Sequence, residues 1–266
     1  MKKWTTTAIT KCKGQEKVVT ITAYDAAFAR IFDSAGIHAI LVGDSVGNNV
    51  LGFDNTLPVT MDMMVHHTAA VARGVKDTHV IADMPFLSYQ INDDEAMRNA
   101  GRLIQEGGAD SVKLEGGEER AALVARMVAN GIPVCAHIGL TPQSVLAFGG
   151  YGIHGKSDEE AEALKRGAKA LADAGAFAIV LECVPDALAA EITAQIPIPT
   201  IGIGAGPHCD GQILVMHDLL GINPPDRAPR FAKRYAEIGA VAGAAIRGYI
   251  AEVQSGAFPK ERTKHA

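Results

Sequence analysis

Three acidic residues, Asp44, Asp83 and Glu115, each follow a short apolar run of the chain and could together hold a metal ion. Carboxylates with no cysteine among them form a hard oxygen-donor set, which suits Mg²⁺ or Mn²⁺ and leaves coordination positions for water or substrate. The alternative is that each acid caps the next helix. A loop separates Asp44 and Asp83 from the helices predicted to follow them, so the pattern favours a metal site.

Lys113 and Ser45 could bind an anionic substrate beside these acids. Lys113 precedes Glu115 by two residues, so both side chains leave the predicted strand on the same face. A lysine that faces the interior of a fold is costly unless it meets an anion, which could be Glu115, Asp83 or a substrate carboxylate. Ser45 adds a hydroxyl group and a backbone donor next to Asp44.

Glu182 and His137 are the candidates for a general base. Glu182 has mostly apolar neighbours in the chain, a setting that favours a base acting near neutrality, although it could also be a structural acid paired with a cation. His137 is the alternative base or a hydrogen-bond partner. A lone histidine at the end of a strand is more often structural than catalytic.

Other polar motifs point less clearly to chemistry. The glycine-rich segment Ile201–Gly206 lacks the GxGxxG spacing and is followed at once by Pro207, which argues against a dinucleotide site. The pair His66–His67 has no HExxH pattern, and we expect it to lie on an ordinary surface. Asp25 and Asp218 are expected either to support neighbouring site residues or to be structural.

The elements that carry these residues repeat along the chain. Eight short, continuously apolar runs recur, most of them followed by an alanine-rich helical stretch, and such runs are typical of parallel strands covered on both faces. Eight strand–helix units in about 250 residues indicate an α/β fold of the (β/α)8 or TIM-barrel class. The predicted strands are Val18–Ala23, Ala39–Val42, Val80–Ala82, Ser111–Leu114, Pro133–Ala136, Ala178–Leu181, Thr200–Ile203 and Gln212–Met216.

One unit of the predicted barrel is too short. Ile203 and Gln212 are separated by eight residues, fewer than the ~10–12 of a crossover with its helix, so helix seven is predicted to be short or missing. The last helix is predicted over Arg230–Val253. An open doubly wound sheet is the alternative, but no topological switch point can be located. No linker divides the chain, and residues 1–266 are predicted to be a single domain.

Composition excludes several classes of protein. The chain is 48% hydrophobic and 5% aromatic with a net charge of -5, which excludes disorder and disfavours nucleic acid or a membrane surface as a partner. No stretch approaches the ~20 apolar residues of a membrane-spanning helix, and no apolar region follows the N-terminal lysines as in a signal peptide. The four cysteines are widely spaced, as expected for free thiols in the cytoplasm.

Many segments of the chain resemble one known family. They are Thr22–Asp25, Leu41–Gly47, Thr56–Thr60, Ala82–Phe86, Val112–Gly117, His137–Gln143, Phe148–Tyr151, Leu181–Pro185, Ile201–Gly206 and Asp210–Asp218. From about residue 5 to 258 the chain resembles the ketopantoate hydroxymethyltransferases, which catalyse the first committed step of pantothenate synthesis. Motifs of this number and length are very specific.

The resemblance implies a role for each candidate residue. The family folds as a (β/α)8 barrel of the phosphoenolpyruvate/pyruvate type and assembles as a homodecamer, a pentamer of dimers. The implied metal ligands are Asp44, Asp83 and Glu115. The implied contacts to the keto-acid substrate come from Asp44, Ser45, Asp83, Lys113 and His137, with Lys113 holding the carboxylate. The implied catalytic base is Glu182.

The resemblance also implies the reaction. A hydroxymethyl group would pass from 5,10-methylenetetrahydrofolate to C3 of 3-methyl-2-oxobutanoate, through an enolate stabilised by Mg²⁺ or another divalent cation, giving 2-dehydropantoate and tetrahydrofolate. Two alternatives are a metal-dependent lyase or aldolase of the same barrel superfamily and a catalytically silent relative. The silent relative would be expected to have lost some of the site residues, but all are present.

Overall fold

The computed structural model describes residues 2–224, 226 and 228–260, which fall into two compact units. The first unit is Met1–Val215 and the second is Met216–Ala266. The single domain over residues 1–266 therefore stays a prediction. Met1 and residues 261–266, which it includes, lie outside the described residues.

The first unit contains a closed barrel of eight parallel strands, paired in the order of the chain. The barrel prediction is confirmed, and the open doubly wound sheet is excluded. The strands are β1 (Val18–Thr22), β2 (Ala39–Val42), β3 (His79–Asp83), β4 (Ser111–Glu115), β5 (Val134–Gly139), β6 (Ala178–Glu182), β7 (Thr200–Ile203) and β8 (Gly211–Leu214).

Several strand bounds differ from the sequence prediction by one residue, and two strand ends differ by more. Strand β5 continues past His137 to Gly139, because its polar end still pairs with β6 up to the position of Glu182. Strand β8 ends at Leu214 rather than Met216. Apolar runs show which residues are buried between the layers, whereas backbone pairing continues into the polar residues at the mouth of the barrel.

The helices follow the strands as the sequence pattern indicates. They are α1 (Thr6–Lys11), α2 (Ala26–Ala35), α3 (Val46–Asn49), α4 (Met61–Ala72), α5 (Asp93–Gln105), α6 (Ala121–Ala129), α7 (Val145–Phe148), α8 (Asp158–Asp173), α9 (Asp186–Gln195), α10 (Met216–Leu219) and α11 (Ile238–Ser255). Residues 204–210 form no helix, so the prediction for helix seven is confirmed. No helix in the described part of the chain is both long and apolar enough to cross a membrane.

The barrel closes where β1 pairs with β8. Val18 lies opposite Gly211 in this pairing, and the backbone N–H of Val18 donates to the carbonyl of Asp210 at 2.9 Å. The carboxylate of Asp210 accepts from the backbone N–H of Thr200 at 3.0 Å and pairs with the ammonium group of Lys13 at 2.8 Å. Asp210 thus joins the N-terminal segment, β7 and β8 at one seam.

The amino-terminal end of the barrel is filled by apolar side chains. Ile9 and Cys12, from α1 and the residue after it, share a buried cluster with strand residues such as Val18, Ala39 and Ala178. These three residues begin their strands, so this part of the cluster lies at the amino-terminal end of the barrel, and Leu41 and Val180 continue the cluster along its interior. Burial of this cluster stabilises the closed sheet, and the opposite end is left for polar side chains.

The second unit contains α10 and α11. The sequence prediction of a helix from Arg230 was wrong, since α11 begins only at Ile238. Before that point the backbone N–H groups of Tyr235 and Ile238 donate to the carbonyls of Leu219 and Leu220. These bonds fold the segment back onto the end of α10 instead of letting it propagate as a helix.

His79, at the start of β3, gives the fold a pH dependence. Its side chain is 1% exposed, and its Nε2 lies 2.9 Å from Oγ of Ser111 on β4. Burial lowers the pKa of His79 to about 4. Below pH ~6.5 this histidine binds a proton in the unfolded chain, whereas the buried imidazole of the folded chain stays neutral. The free energy of unfolding is therefore highest above that pH and decreases as the pH falls towards 4.

We therefore expect His79 to lower the free energy of unfolding by about 2 kcal/mol between pH 7.5 and pH 5.0. Urea unfolding of the wild type and of His79→Gln at the two pH values measures this difference, which the variant should lack. His208→Gln, at an exposed position, is the control and should keep it. An equal pH dependence in all three proteins would contradict the assignment to His79.

Candidate active site

The carboxyl ends of the barrel strands bring all the predicted site residues to one cavity of about 100 Å³. Strand pairing sets neighbours side by side: Asp83 is paired with Lys113, and Glu115 with His137. The polar wall of the cavity includes Asp44, Ser45, Asp83, Lys113, Glu115, His137 and Glu182. The apolar wall includes Leu41, Val180, Ile203 and Ile213. The cavity can therefore hold a small anion that also carries an alkyl group.

A buried ion pair lies at the centre of the polar wall. Nζ of Lys113 is 2.9 Å from Oδ1 of Asp83, and each side chain is 5% exposed. The other carboxylate oxygen of Asp83 accepts a hydrogen bond from the backbone N–H of Asp44 at 3.0 Å. Lys113 thus meets the internal anion that its buried position requires.

The site carries more negative than positive charge. Burial, with the charges of Asp83 and Glu115, raises the pKa of Asp44 well above its ordinary value. Burial also raises the pKa of Asp83, although Lys113 opposes the shift. Burial alone would lower the pKa of Lys113, but the three acids around it raise it. Because one ammonium group faces three carboxyl groups, a bound cation would be stabilised here.

The donor set fits a divalent cation held jointly with a ligand. Within residues 2–224, 226 and 228–260, no group of three His, Cys, Asp or Glu side chains is already arranged to hold a metal ion. Mg²⁺ is often bound by one or two carboxylates, with water and substrate oxygens completing the octahedron. The buried oxygens of Asp44, Asp83 and Glu115 suit that form of binding. Their individual metal roles stay predictions.

His137 connects the ion pair to Glu182. Nζ of Lys113 lies 3.2 Å from Nδ1 of His137, and Oε2 of Glu182 lies 3.2 Å from Nε2. Nδ1 of His137 also lies 3.4 Å from Oε1 of Glu115. Burial and the charge of Lys113 would lower the pKa of His137, but the carboxylates of Glu115 and Glu182 raise it above its ordinary value. The side chain of Glu182 is 18% exposed, compared with 3% for His137. Glu182 is therefore oriented by the imidazole yet accessible from the cavity.

Gln143 was missed as a site residue by the sequence analysis. Its Nε2 donates to Oδ2 of Asp44 at 2.9 Å, and its backbone N–H donates to Oε2 of Glu115 at 3.1 Å. Its Oε1 accepts from the hydroxyl group of Tyr89 at 2.8 Å. One amide residue thereby orients two of the predicted metal ligands. The only signal in the sequence was its place at the end of the motif His137–Gln143.

Tyr24 was also missed, and it positions Ser45. The hydroxyl group of Tyr24 lies 2.8 Å from Oγ of Ser45, and burial raises the pKa of Tyr24 to about 12. The phenol therefore stays protonated at neutral pH and can donate to Ser45. The adjacent Asp25 is structural, since its carboxylate accepts from the backbone N–H groups of Ala27 and Phe28 and caps α2.

Comparison with known proteins identifies the family. Residues 3–261 match the family described as ketopantoate hydroxymethyltransferase. The 3-methyl-2-oxobutanoate hydroxymethyltransferase of Carboxydothermus hydrogenoformans is 58% identical over 247 residues, which cover 93% of this chain and 89% of that protein. The chain belongs to the ketopantoate hydroxymethyltransferase family. The enzyme of the same name from Thermotoga maritima is 56% identical over 251 residues, covering 94% of this chain and 92% of that protein.

Solved structures share the fold of this chain at low sequence identity. Phosphonopyruvate hydrolase in complex with oxalate and Mg²⁺ has a TM-score of 0.63 at 15% identity, covering 99% of this chain and 90% of that one. A 2,3-dimethylmalate lyase, described as a member of the PEP mutase/isocitrate lyase superfamily, has a TM-score of 0.59 at 18% identity, covering 98% and 91%. These two structures share the barrel fold of this chain.

Family membership also bears on the alternatives considered from the sequence. A lyase or aldolase of the same superfamily is not favoured, because relatives above 50% identity are named as hydroxymethyltransferases. A silent relative is not favoured either. The residues that the resemblance singled out are all present and line one cavity.

The remaining polar residues discussed from the sequence have local roles. His66 is exposed as expected, whereas Nδ1 of His67 lies 2.7 Å from the carbonyl of Tyr24. Asp218 lies in α10 of the second unit, where its carboxylate accepts from the side-chain amide of Asn223. These contacts support structural roles.

Replacing Gln143 by leucine is expected to lower the free energy of unfolding by about 2–3 kcal/mol, because buried partners, the hydroxyl group of Tyr89 and the carboxylate of Asp44, lose their hydrogen bonds. Urea unfolding measures the loss. Gln105→Leu, at an exposed position on α5, is the matched control and should change little. A Gln143→Leu protein as stable as the control would show that these hydrogen bonds contribute nothing to the free energy of unfolding.

Proposed function

We propose that this chain converts 3-methyl-2-oxobutanoate, 5,10-methylenetetrahydrofolate and water into 2-dehydropantoate and tetrahydrofolate, and so serves pantothenate synthesis. The family and the names of its relatives support the hydroxymethyl transfer. The observation that carries the proposal is the position of Glu182, an accessible carboxylate in the same cavity as the buried Lys113–Asp83 pair. Such a cavity can bind a keto acid and remove a proton from it.

The keto acid would be held through both its ends. Lys113 is the cation at the base of the cavity, and Ser45, oriented by Tyr24, adds a hydroxyl group. The apolar wall that includes Leu41 and Val180 would receive the isopropyl group. These contacts would place C3 towards the open side of the cavity, where Glu182 lies.

The acids would hold Mg²⁺ or another divalent cation together with the substrate. Asp44 and Asp83, with Glu115 beside them, have the buried oxygens for this role. A bound divalent cation would supply Lewis-acid stabilisation of the negative charge that develops on the keto acid, an effect worth several kcal/mol. The fold relative solved with oxalate and Mg²⁺ supports a divalent ion in such a barrel.

Glu182 would remove the proton from C3. Its Oε2 lies 3.2 Å from Nε2 of His137, which leaves the rest of the carboxylate for the substrate. His137 is in turn fixed by Lys113. The lysine therefore orients the base as well as the substrate. The carbanion equivalent formed at C3 would then attack the one-carbon unit of the folate.

Exchange of the C3 proton tests this step without the folate. Proton NMR of 3-methyl-2-oxobutanoate in D₂O with the protein should show loss of the C3 signal with Mg²⁺ and no loss with EDTA. Addition of methylenetetrahydrofolate should then give 2-dehydropantoate. Absence of exchange, with or without the folate, would refute the enolate step or the substrate.

The assembly and location of the chain are part of the same proposal. The resemblance to the family supports a homodecamer of five dimers in the cytoplasm. Free thiols at all four cysteines suit that compartment, and the apolar residues that α11 exposes, Val241, Ile246 and Ile250 among them, suit self-association. Sedimentation should give ten times the 27.9 kDa of one chain, and a monomer would refute the assembly.

A further inference from the structure

A second cavity of about 330 Å³ opens beside the keto-acid cavity in the barrel unit. The two cavities share Glu115 in their walls, and Gln143 lines the second cavity. A third cavity of about 320 Å³ continues outward and shares Glu119, Ala163 and Leu164 with the second. Together the second and third cavities form one groove, here called the outer groove, which leads from Glu115 along α8 to the surface.

The inner part of the outer groove has walls suited to a flat, polar ring. Phe86, Tyr89 and Phe148 line it, and aromatic side chains favour stacking against planar ligands. The guanidinium group of Arg120 lies 5.4 Å from the ring centre of Tyr89. Nε of Arg120 is buried and lacks a hydrogen-bond partner among the described residues. An N–H donor in the wall is therefore unused.

Glu119 places an acceptor beside this donor. Its Oε1 accepts from the backbone N–H of Gly117 at 3.0 Å, and the residue is exposed. Gly116 has a φ of 125°, and a Cβ there would lie 2.7 Å from Cγ of Arg120. The glycine thus lets Glu119 and Arg120 pack closely over the end of β4. The wall offers one carboxylate and one guanidinium N–H side by side.

We propose that the outer groove binds the one-carbon donor, with the reduced pterin ring of the folate in the inner part. This inference rests on the proposed function. A pterin is flat, and its aminopyrimidinone edge carries N–H donors that a carboxylate accepts and a carbonyl oxygen that a guanidinium group can bind. Glu119 and Arg120 provide that pair, and the rest of the folate extends through the outer part of the groove to solvent.

The position of the groove also meets a requirement of the reaction. Carbon–carbon bond formation needs the methylene carbon within about 3–3.5 Å of the carbon that attacks it. A ligand in the outer groove would lie next to the keto-acid cavity, because Glu115 lines both cavities. Gln143 lines the second cavity and donates a hydrogen bond to Asp44 of the keto-acid cavity.

Ala163→Trp tests the proposal by filling the groove. Ala163 is an exposed residue of α8 that lines both parts of the groove and does not line the keto-acid cavity. The indole should weaken binding of tetrahydrofolate, measured by calorimetry, by about tenfold or more. The KM for methylenetetrahydrofolate should rise in parallel. Mg²⁺-dependent exchange of the C3 proton, which needs no folate, should stay near the wild-type rate.

Two further variants make the result interpretable. Lys169→Trp places the same indole at an exposed position of α8 outside the groove and should bind tetrahydrofolate like the wild type. Glu119→Gln adds no bulk at an exposed site and should weaken tetrahydrofolate binding by about tenfold, because a charged acceptor is lost.

The outcomes separate this inference from the proposed function. Wild-type affinity for tetrahydrofolate in both Ala163→Trp and Glu119→Gln, with 2-dehydropantoate still formed, would overturn the assignment of the groove and leave the function standing. A wild-type protein that forms no 2-dehydropantoate would overturn the function and the groove together. A loss of tetrahydrofolate affinity confined to Lys169→Trp would likewise contradict the assignment of the groove.

Discussion

Glu182→Gln is expected to slow exchange of the C3 proton of 3-methyl-2-oxobutanoate by about 100-fold to 10,000-fold, the range attributed to a general base. Glutamine has the size of glutamate and its carbonyl oxygen can still face Nε2 of His137, but the amide cannot accept the C3 proton. Keto-acid binding should therefore be retained. Proton NMR in D₂O with Mg²⁺ gives the exchange rate, and calorimetry gives the affinity.

Two controls decide whether Glu182 itself is the base. Glu191→Gln removes a carboxylate that is 53% exposed and paired with Lys165, and it should exchange at the wild-type rate. His137→Gln should lose activity too, but less than Glu182→Gln, because the imidazole orients the base. If His137→Gln were the more damaging change, His137 would be the base instead. If Glu182→Gln lost binding of the keto acid, its role would be in substrate contact.

Asp44→Asn and Asp83→Asn should separate metal binding from stability. Either change should weaken Mn²⁺ binding, measured by electron paramagnetic resonance, by at least about 10–100-fold. Losses of that size are typical even for residues that only hydrogen-bond to a metal ligand. Their effects on the metal-free protein should be opposite in sign. Asp44 is a carboxyl group whose pKa folding raises, so its charge opposes folding above its unfolded pKa, and a neutral asparagine removes that cost.

Burial raises the pKa of Asp83 as well, but Asp83 is the ion-pair partner of Lys113, and loss of this pair outweighs the gain from removing the carboxylate charge. Asp83→Asn leaves the ammonium group of Lys113 without its closest anion, and breaking a buried pair in this way costs about 3–5 kcal/mol. Urea unfolding in EDTA at pH 7.5 should therefore show a more stable Asp44→Asn and a less stable Asp83→Asn. Asp173→Asn, exposed on α8, is the control. Wild-type Mn²⁺ affinity in Asp44→Asn would remove this residue from the metal site.

Much of the site was predictable because, in a parallel barrel, residues at the carboxyl ends of the strands lie together on one face. Asp83, Glu115 and Glu182 each stand at the end of an apolar run, and the ends of parallel strands meet on one face. Their convergence needs only strand order and register. The distances between them, and the choice of Asp83 as the partner of Lys113, depend on side-chain packing that periodicity does not encode.

The residues that were missed lie in loops. Gln143 follows β5 and Tyr89 follows β3, in segments with no periodic pattern, and they meet only because both loops fold over Glu115.

The start of α11 was misplaced for a related reason. The segment before Ile238 has a helix-like composition, but its backbone donors are used by the carbonyls of Leu219 and Leu220. At the start of α11, therefore, non-local hydrogen bonds override the local helix propensity.

The seam at Asp210 has a consequence for how the protein is made. Strand β1 is translated early, whereas its partner β8 is complete only when Leu214 has been added to the chain. One edge of β1 is therefore unpaired during most of the synthesis. Contacts this distant in the chain carry a large entropic cost and form slowly. Open strand edges invite association with other chains. A chain truncated before Asp210 should therefore aggregate rather than fold into a smaller barrel, and activity should return during refolding only when the seam closes.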